Sequence, residues 1–440
     1  MRKKEYRRII SIGIVTIMMA GLLTACGEAA TVDTTSAVQE ISTEAEESGV
    51  SVESRTDTAD LSDSDDTGKE ESDSTGSNMA ESEMITLSDN SDINITKGGK
   101  YLVTGSSKNS TIDVETEDEV EIVLDGVSMT NDDTPCIYVK NADKVTISTT
   151  EKESTLAVTG SFTTDGDTKT DAVIFSKDDI ELEGSGTLNI ESSDNAITSK
   201  DDLEIKGGIL NIQCTGNALE AHDEIEFSDG TINITGCNDG LHAKDSDDET
   251  VGSVLITGGK LDITATDDAI HGTTTVQIDG GDLNLTAAEC IEGTYITVND
   301  GNINISASDD GINAAAKSSS YTPTFEMNGG NVVISMGGGD TDGVDSNGDI
   351  YINGGTIDIT GQSTFDYDGN AQYNGGTIIE NGTTTNTITS QFFGGMGGNF
   401  NGNFDSNFDG FEGGNNIEMP GGNFEWKGNP HQSPQQEGNQ

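Results

Sequence analysis

Apolar and polar residues alternate at a spacing of two through most of this chain, and between Gly186 and Gly376 no stretch carries the 3.6-residue apolar spacing of a helix. Such alternation marks strands with one face turned to a core. The pattern is also periodic. One phrase returns as Gly186-Thr-Leu-Asn-Ile190, Gly208-Ile-Leu-Asn-Ile212, Gly230-Thr-Ile-Asn-Ile234, Gly259-Lys-Leu-Asp-Ile263, Gly281-Asp-Leu-Asn-Leu285, Gly301-Asn-Ile-Asn-Ile305, Gly330-Asn-Val-Val-Ile334 and Gly355-Thr-Ile-Asp-Ile359, with starts 22, 22, 29, 22, 20, 29 and 25 residues apart. A fixed period in this range means one unit stacked on copies of itself.

Each period holds three short pieces. The phrase is the first. A small residue followed by an aliphatic is the second, as in Ala196-Ile197, Ala269-Ile270, Cys290-Ile291 and Gly343-Val344. A spaced pair such as Leu203/Ile205 or Val276/Ile278 is the third, closed by a double glycine such as Gly207-Gly208 that predicts a turn with positive φ. Three strands and three turns in about 20 to 22 residues make one coil of a parallel β-helix, stacked at about 4.8 Å on the next. The leucine-rich repeat phrase is absent, a propeller blade needs about 40 residues, and a left-handed hexapeptide helix has a shorter coil. The pattern therefore predicts an all-β, right-handed parallel β-helix.

The period bounds the domains. Residues 1–25 read as a signal segment, basic over Met1–Arg8 and apolar from Ile9 to Leu23. It closes on Leu23-Thr-Ala-Cys26, which resembles a bacterial lipobox. That resemblance implies a diacylated Cys26 and a body held at the extracellular face of the membrane by its lipid alone. Residues 26–83 are rich in Ser, Thr, Asp and Glu and predict a disordered acidic linker. The β-helix is expected over 84–388, with irregular first coils serving as an N-terminal cap. Residues 389–440 form a Gly/Asn/Phe-rich tail that holds seven of the 12 Phe and the single Trp. Three insertions interrupt the period. Ala243 to Gly252 and Ala314 to Thr324 lengthen the same turn three coils apart and should project from one side, whereas Ser335 to Thr341 lengthens another turn.

Charge narrows the partners. The 440 residues carry a formal charge of −58, with 32% hydrophobic and 5% aromatic residues. This suits a thin core of small aliphatics and excludes nucleic acid and anionic membrane surfaces as partners. A monomer is expected.

Candidate chemistry flanks the small-aliphatic strand. Asn195, Asn217, Asp239, Asp268, Glu289, Asp310 and Asp342 precede the small residue, preceded in turn by Asp194, Asn238, Asp267 and Asp309, while Glu220, His242, His271, Glu292, Asn313 and Asp345 follow the aliphatic. Carboxylates stacked about 5 Å apart repel by about 1 kcal/mol in water and severalfold more beside low-dielectric protein. Oxygen donors outside the cytoplasm point to Ca²⁺ rather than Mg²⁺ or a transition metal. The expected ligands are Asp239, Asp267, Asp268, Glu289, Asp309 and Asp310, with Asp245, Asp247, Asp248 and Glu249 of the first insertion. A second candidate is a calcium turn over Asp340-Thr-Asp342-Gly-Val-Asp345-Ser-Asn347-Gly-Asp349, although no Glu stands at its twelfth position.

His242 and His271 lack a third imidazole or thiolate, so they are expected to be exposed ladder residues rather than a zinc site. Tyr295, Tyr321 and Tyr351 are candidate sugar platforms. Cys136 and Cys290 occupy the small-residue position as buried thiols, and Cys214 and Cys237 fall on adjacent coils within reach of a disulfide.

From about Met84 to Asn381 the repeat phrasing, the Asp-Asp-Ala-Ile type of strand and the double-glycine turns resemble the bacterial family of secreted β-helix carbohydrate-binding domains. That family is similar in fold to pectate lyases. The resemblance implies bound calcium and association with cellulose or acidic polysaccharides such as polygalacturonate, and the expectation is binding without catalysis. All four arginines, Arg2, Arg7, Arg8 and Arg55, precede the solenoid, which removes arginine-based lyase chemistry. A calcium-dependent lyase using Lys244 or Lys317 as base is the enzymatic alternative, and a structural surface adhesin or spacer is the second.

Overall fold

The computed structural model describes residues 82–339 and 341–390, all of them in the second of the two units into which the chain divides, Gly76–Gln440. Among the described residues there is no helix. Strands run from Glu83–Thr86 to Thr383–Thr385, and nearly all pair in parallel with the strand one coil away. The described residues form a parallel β-helix.

The repeated phrase builds the first column of strands, a 13-stranded sheet that includes Thr187–Ser192, Ile209–Gln213, Thr231–Thr235, Lys260–Thr264, Asp282–Ala287 and Asn302–Ala307. Its register follows the repeat, with Ile190 beside Ile212, Ile212 beside Ile234 and Ile234 beside Ile263. The small-aliphatic pieces form a second column and the spaced pairs a third. Two strands, Asp268–Ile278 and Glu289–Val298, run through both and join them into one 23-stranded sheet. At that corner the chain bends on Gly272 and Gly293. A Cβ on Gly272 would lie 2.5 Å from the Thr275 carbonyl oxygen.

Inward ladders fill the core. Ile197, Leu219, Leu241, Ile270, Ile291 and Ile312 stack in the second column and are fully buried, as are Val276, Ile296, Phe325 and Ile350 in the third. Burying each such side chain contributes about 1.5–3 kcal/mol. Outside the core, amides tie coil to coil. Asn299 donates to Asp279 at 2.7 Å, Asn328 to Asn299 at 2.9 Å, Asn353 to Asn328 at 2.8 Å and Asn374 to Asn353 at 2.8 Å. An amide both donates and accepts, so such a ladder extends without a mismatch.

The turns have the expected form: the glycine that opens the repeated phrase has positive φ in eight successive coils, from Gly208 at 83° to Gly376 at 84°, preceded by a second glycine in six of them and by Asp229 or Asp300 in the other two. Two features differ from the sequence reading. Glu83–Thr86 pairs in parallel with Gly99–Thr104, so the first described coils already follow the parallel register of the stack. A further insertion lies between Glu153–Val158 and Ala172–Ser176, where Thr164–Asp165 and Thr168–Lys169 make a small antiparallel hairpin.

A carboxylate and imidazole column on the second sheet face

The acids and imidazoles flanking the small-aliphatic strand form two adjacent ladders on the second column. Successive residues of the inner ladder stitch the coils together. The Asn217 N–H donates to Asn195 Oδ1 at 2.7 Å, Asp268 N–H to Asp239 Oδ1 at 3.1 Å, and Asp342 N–H to Asp310 Oδ1 at 3.1 Å. One oxygen of each thus serves the backbone.

In the middle of the column the outer ladder supplies its own cations. His242 and His271 stack with ring centroids 4.7 Å apart and planes 16° apart. His242 Nδ1 lies 2.7 Å from Asp239 Oδ2, out of line for a hydrogen bond. His271 Nδ1 sits between Asp268 Oδ2 at 3.0 Å and Glu292 Oε2 at 2.7 Å, and Lys317 Nζ lies 2.6 Å from Glu292 Oε1. Burial alone lowers the affinity of His271 for its proton, but the two carboxylates reverse this and push its pKa up to about 9. Burial likewise raises Glu292, yet His271 and Lys317 hold it down at about 2. The expectation of exposed histidines fails for His271, which is only 4% exposed. Its neighbours are the stacked His242 ring and the Asp268 and Glu292 carboxylates, the latter also held by Lys317 from the insertion after Ala314.

Further along, the acids have no such partners. Burial and the neighbouring Glu292 and Asp268 carboxylates push Glu289 up to about 8, although Asn313 donates to its Oε2 at 2.8 Å. Burial together with Asp345, Asp309 and Asp342 pushes Asp310 up to about 7. Burial together with Asp342, Asp366 and Asp368 pushes Asp345 up to about 6. Asn313 Oδ1, beside this group, is buried and accepts no hydrogen bond. The column thus divides into a part neutralised from within and an all-oxygen part that is not.

Two insertions clamp the adjoining corner. Thr273 Oγ1 donates to the Ala243 carbonyl at 3.2 Å, Thr294 Oγ1 donates to the Thr273 carbonyl at 2.8 Å, and the Ser318 N–H donates to Thr294 Oγ1 at 2.9 Å. Ser319 Oγ donates to Glu249 Oε1 at 2.6 Å, so the insertions lie on the same side, as their spacing predicts, and meet over the coils between them.

A sequence profile of carbohydrate-binding domain-containing proteins matches residues 89–343, over half of the chain and the whole of this column except Asp345 and the acids beyond it. The chain belongs to this family. A carbohydrate-binding domain-containing protein of Acetivibrio thermocellus is 35% identical over 123 residues, 27% of this chain and 43% of the relative, so the match spans less than half of that protein. A solved structure described as a polysaccharide lyase-like protein from C. thermocellum, gadolinium derivative, is 22% identical, with 68% of this chain and 96% of that one covered at a TM-score of 0.31.

Within this carbohydrate-binding domain the other sequence candidates are dispersed. Asp267 and Asp309 are exposed at the edge of the column. In the first insertion Asp245 Oδ1 accepts the Asp247 N–H at 2.8 Å and Asp248 Oδ1 accepts the Thr250 N–H at 2.9 Å, so these carboxylates serve their own loop. The calcium turn does not form as one loop. Asp342–Ser346 and Asp349–Ile352 are strands of different columns, which separates Asp342 and Asp345 from Asp349, with Asn347 at the corner between them. Asp340 and Cys26 lie outside the described residues.

The three tyrosines gather on the third column instead. Tyr295 and Tyr321 have ring centroids 6.1 Å apart, and Tyr321 is 47% exposed. Tyr295 donates to Glu326, the register partner of Tyr351, which itself donates to Asp349 Oδ2 at 2.8 Å. All four described cysteines are buried free thiols, and burial pushes Cys136 and Cys290 each up to about 12.

Sequence reasoning missed a second acidic group, Asp179, Asp201 and Asp202, at the turn between the second and third columns. Burial and the surrounding acids push Asp202 up to about 7. The paired Asp-Asp steps Asp178-Asp179 and Asp201-Asp202, one coil apart, were the available signal.

Proposed function

We propose that this protein binds extracellular polysaccharide, cellulose or a polyuronate such as polygalacturonate, through a β-helix loaded with Ca²⁺, and that it does so without turnover. The observation that carries the reading is the unneutralised stretch of the column in a member of a carbohydrate-binding family. Glu289, Asp310 and Asp345, with the unpartnered Asn313 Oδ1, are an all-oxygen donor set, which fits a hard cation with flexible coordination. The Asp268, His271 and Glu292 group fits less well, because the His271 imidazolium already fills the space between its carboxylates. When bound, Ca²⁺ supplies positive charge that links protein carboxylates to glycan oxygens. The protein's own residues hold those carboxylates in register and keep Glu292 paired.

A lyase with a lysine base is the weaker reading. Burial pulls the Lys317 ammonium down, but its pairing with Glu292 more than reverses this and holds it above the ordinary lysine range. A general base needs the opposite shift. Cys26 as a lipid anchor at the cell surface completes the proposal.

The test is retention of the protein on cellulose and on polygalacturonate with and without excess chelator, while unsaturated uronate is monitored. Retention that chelation abolishes, with no product, supports the reading. Product formation replaces it with a lyase. Absence of retention under every condition leaves a structural spacer.

A further inference from the structure

Beside the column lies a groove of about 480 Å³ that runs along the rod across four coils. Its floor is Ala265, Ala287 and Ala307, each less than a tenth exposed, and Met336 and Gly337 of the Ser335 to Thr341 insertion stand at one end. One wall is a ladder of exposed hydroxyls at the ends of the first-column strands. Register pairs Thr264 with Thr286, Thr286 with Ser306 and Ser306 with Ser335. Among the described residues none of the Thr286, Ser306 and Ser335 hydroxyls has a hydrogen-bond partner. On the far side, Thr266 and Ser308 lead directly into the exposed Asp267 and Asp309.

We infer that this groove holds a single chain of neutral polysaccharide lying parallel to the rod axis. The inference rests on the carbohydrate-binding reading above and names its surface and its class of ligand. Three properties select that ligand. The free hydroxyls repeat once per coil, at about 4.8 Å, so they suit a partner that repeats its own hydroxyls along its length. A hydroxyl both donates and accepts, and matches a sugar hydroxyl in either role. The lining contains no Lys or Arg, its one large apolar side chain is Met336 at one end, and Asp267 and Asp309 stand at its edge. Polyanions and amphipathic helices are therefore disfavoured.

The experiment compares the full chain with two variants on native gels containing hydroxyethylcellulose or polygalacturonate. The triple variant Thr286→Ala/Ser306→Ala/Ser335→Ala removes only exposed hydroxyls. Ser308→Trp fills the groove from an exposed position. Retardation of the unaltered chain by hydroxyethylcellulose is expected to weaken at least about 10-fold in the triple variant, as loss of three hydrogen bonds implies, and to vanish in Ser308→Trp. Thermal unfolding of both variants should match the parent. If the parent is retarded and both folded variants are retarded equally, the groove is not the binding surface, although the carbohydrate-binding reading stands. Retardation by polygalacturonate alone overturns the neutral ligand. If the parent binds neither polymer, the underlying reading fails and the inference with it.

Discussion

Single residues set the limits of this fold where the chain turns and where it buries charge. Gly259 has a φ of +76°, and a Cβ there would lie 2.4 Å from Cζ of the fully buried Phe227. Gly236 has a similar φ of +79° with nothing within 4 Å of its Cβ position. Gly259→Ala is therefore expected to cost about 2–4 kcal/mol, and Gly236→Ala only about 1 kcal/mol, because the second carries backbone strain without the clash. Urea unfolding of the pair separates the two effects. Equal losses would mean that Phe227 moves freely.

Glu181 presents the same contrast in charge. It is buried, with Lys144 Nζ at 2.5 Å and Lys206 Nζ at 2.8 Å. Burial pushes its carboxyl up, but the two lysines prevail and bring it from an ordinary 4.5 down to about 2. A carboxyl depressed in the folded state stabilises it above the unfolded value, and that contribution disappears as the pH falls from 4.5 toward 2. Glu181→Gln should cost about 1–3 kcal/mol at pH 7 and little near pH 2. Melting curves of the variant and parent, taken from pH 7 downward, should converge. A constant gap would show that the lysines stabilise nothing.

Among the elements, the strand columns were legible because the parity of a β-strand is written directly into the sequence, and the recurring glycine marks where each coil restarts. The insertion between Glu153–Val158 and Ala172–Ser176 was not legible. Its coil opens on Glu153-Ser-Thr-Leu-Ala-Val158 without the glycine, which removes the reference from which an excess length is measured. The acidic column was readable as a ladder, but its division was not. Whether His271 is exposed depends on how the His242 ring and the Asp268 and Glu292 side chains fold against it, and a ladder position alone does not specify such pairings. The groove left still less trace, since it consists of small residues and absent bulk. The clamp over the corner can be tested through Thr294, which is fully buried and joins Thr273 to Ser318. Thr294→Val keeps the shape and removes the hydroxyl, at an expected cost of about 1–3 kcal/mol. Amide exchange at Ser318 should accelerate more than at Ile296 on the neighbouring core strand. Uniform acceleration would assign Thr294 to global stability instead.

For the molecule as a whole, self-repulsion is the dominant long-range term. A formal charge of −58 on 440 residues opposes compaction, and screening falls from a length of about 30 Å at 0.01 M salt to about 3 Å at 1 M. The melting temperature should rise with NaCl, and rise further with millimolar CaCl₂ at fixed ionic strength if the all-oxygen part of the column takes up the ion. An identical response to CaCl₂ and to NaCl of matched ionic strength would mean screening alone.

The last strand of the first column, Thr383–Thr385, runs antiparallel to Thr377–Glu380, whereas the earlier pairs of that sheet are parallel. A stack of parallel strands is a template on which another molecule can elongate. The reversed strand means that a further coil running with the column would meet it antiparallel rather than in the parallel register of the stack. Among the described residues this column thus ends on a strand that breaks its parallel repeat, in the manner of a chain-stopped polymer.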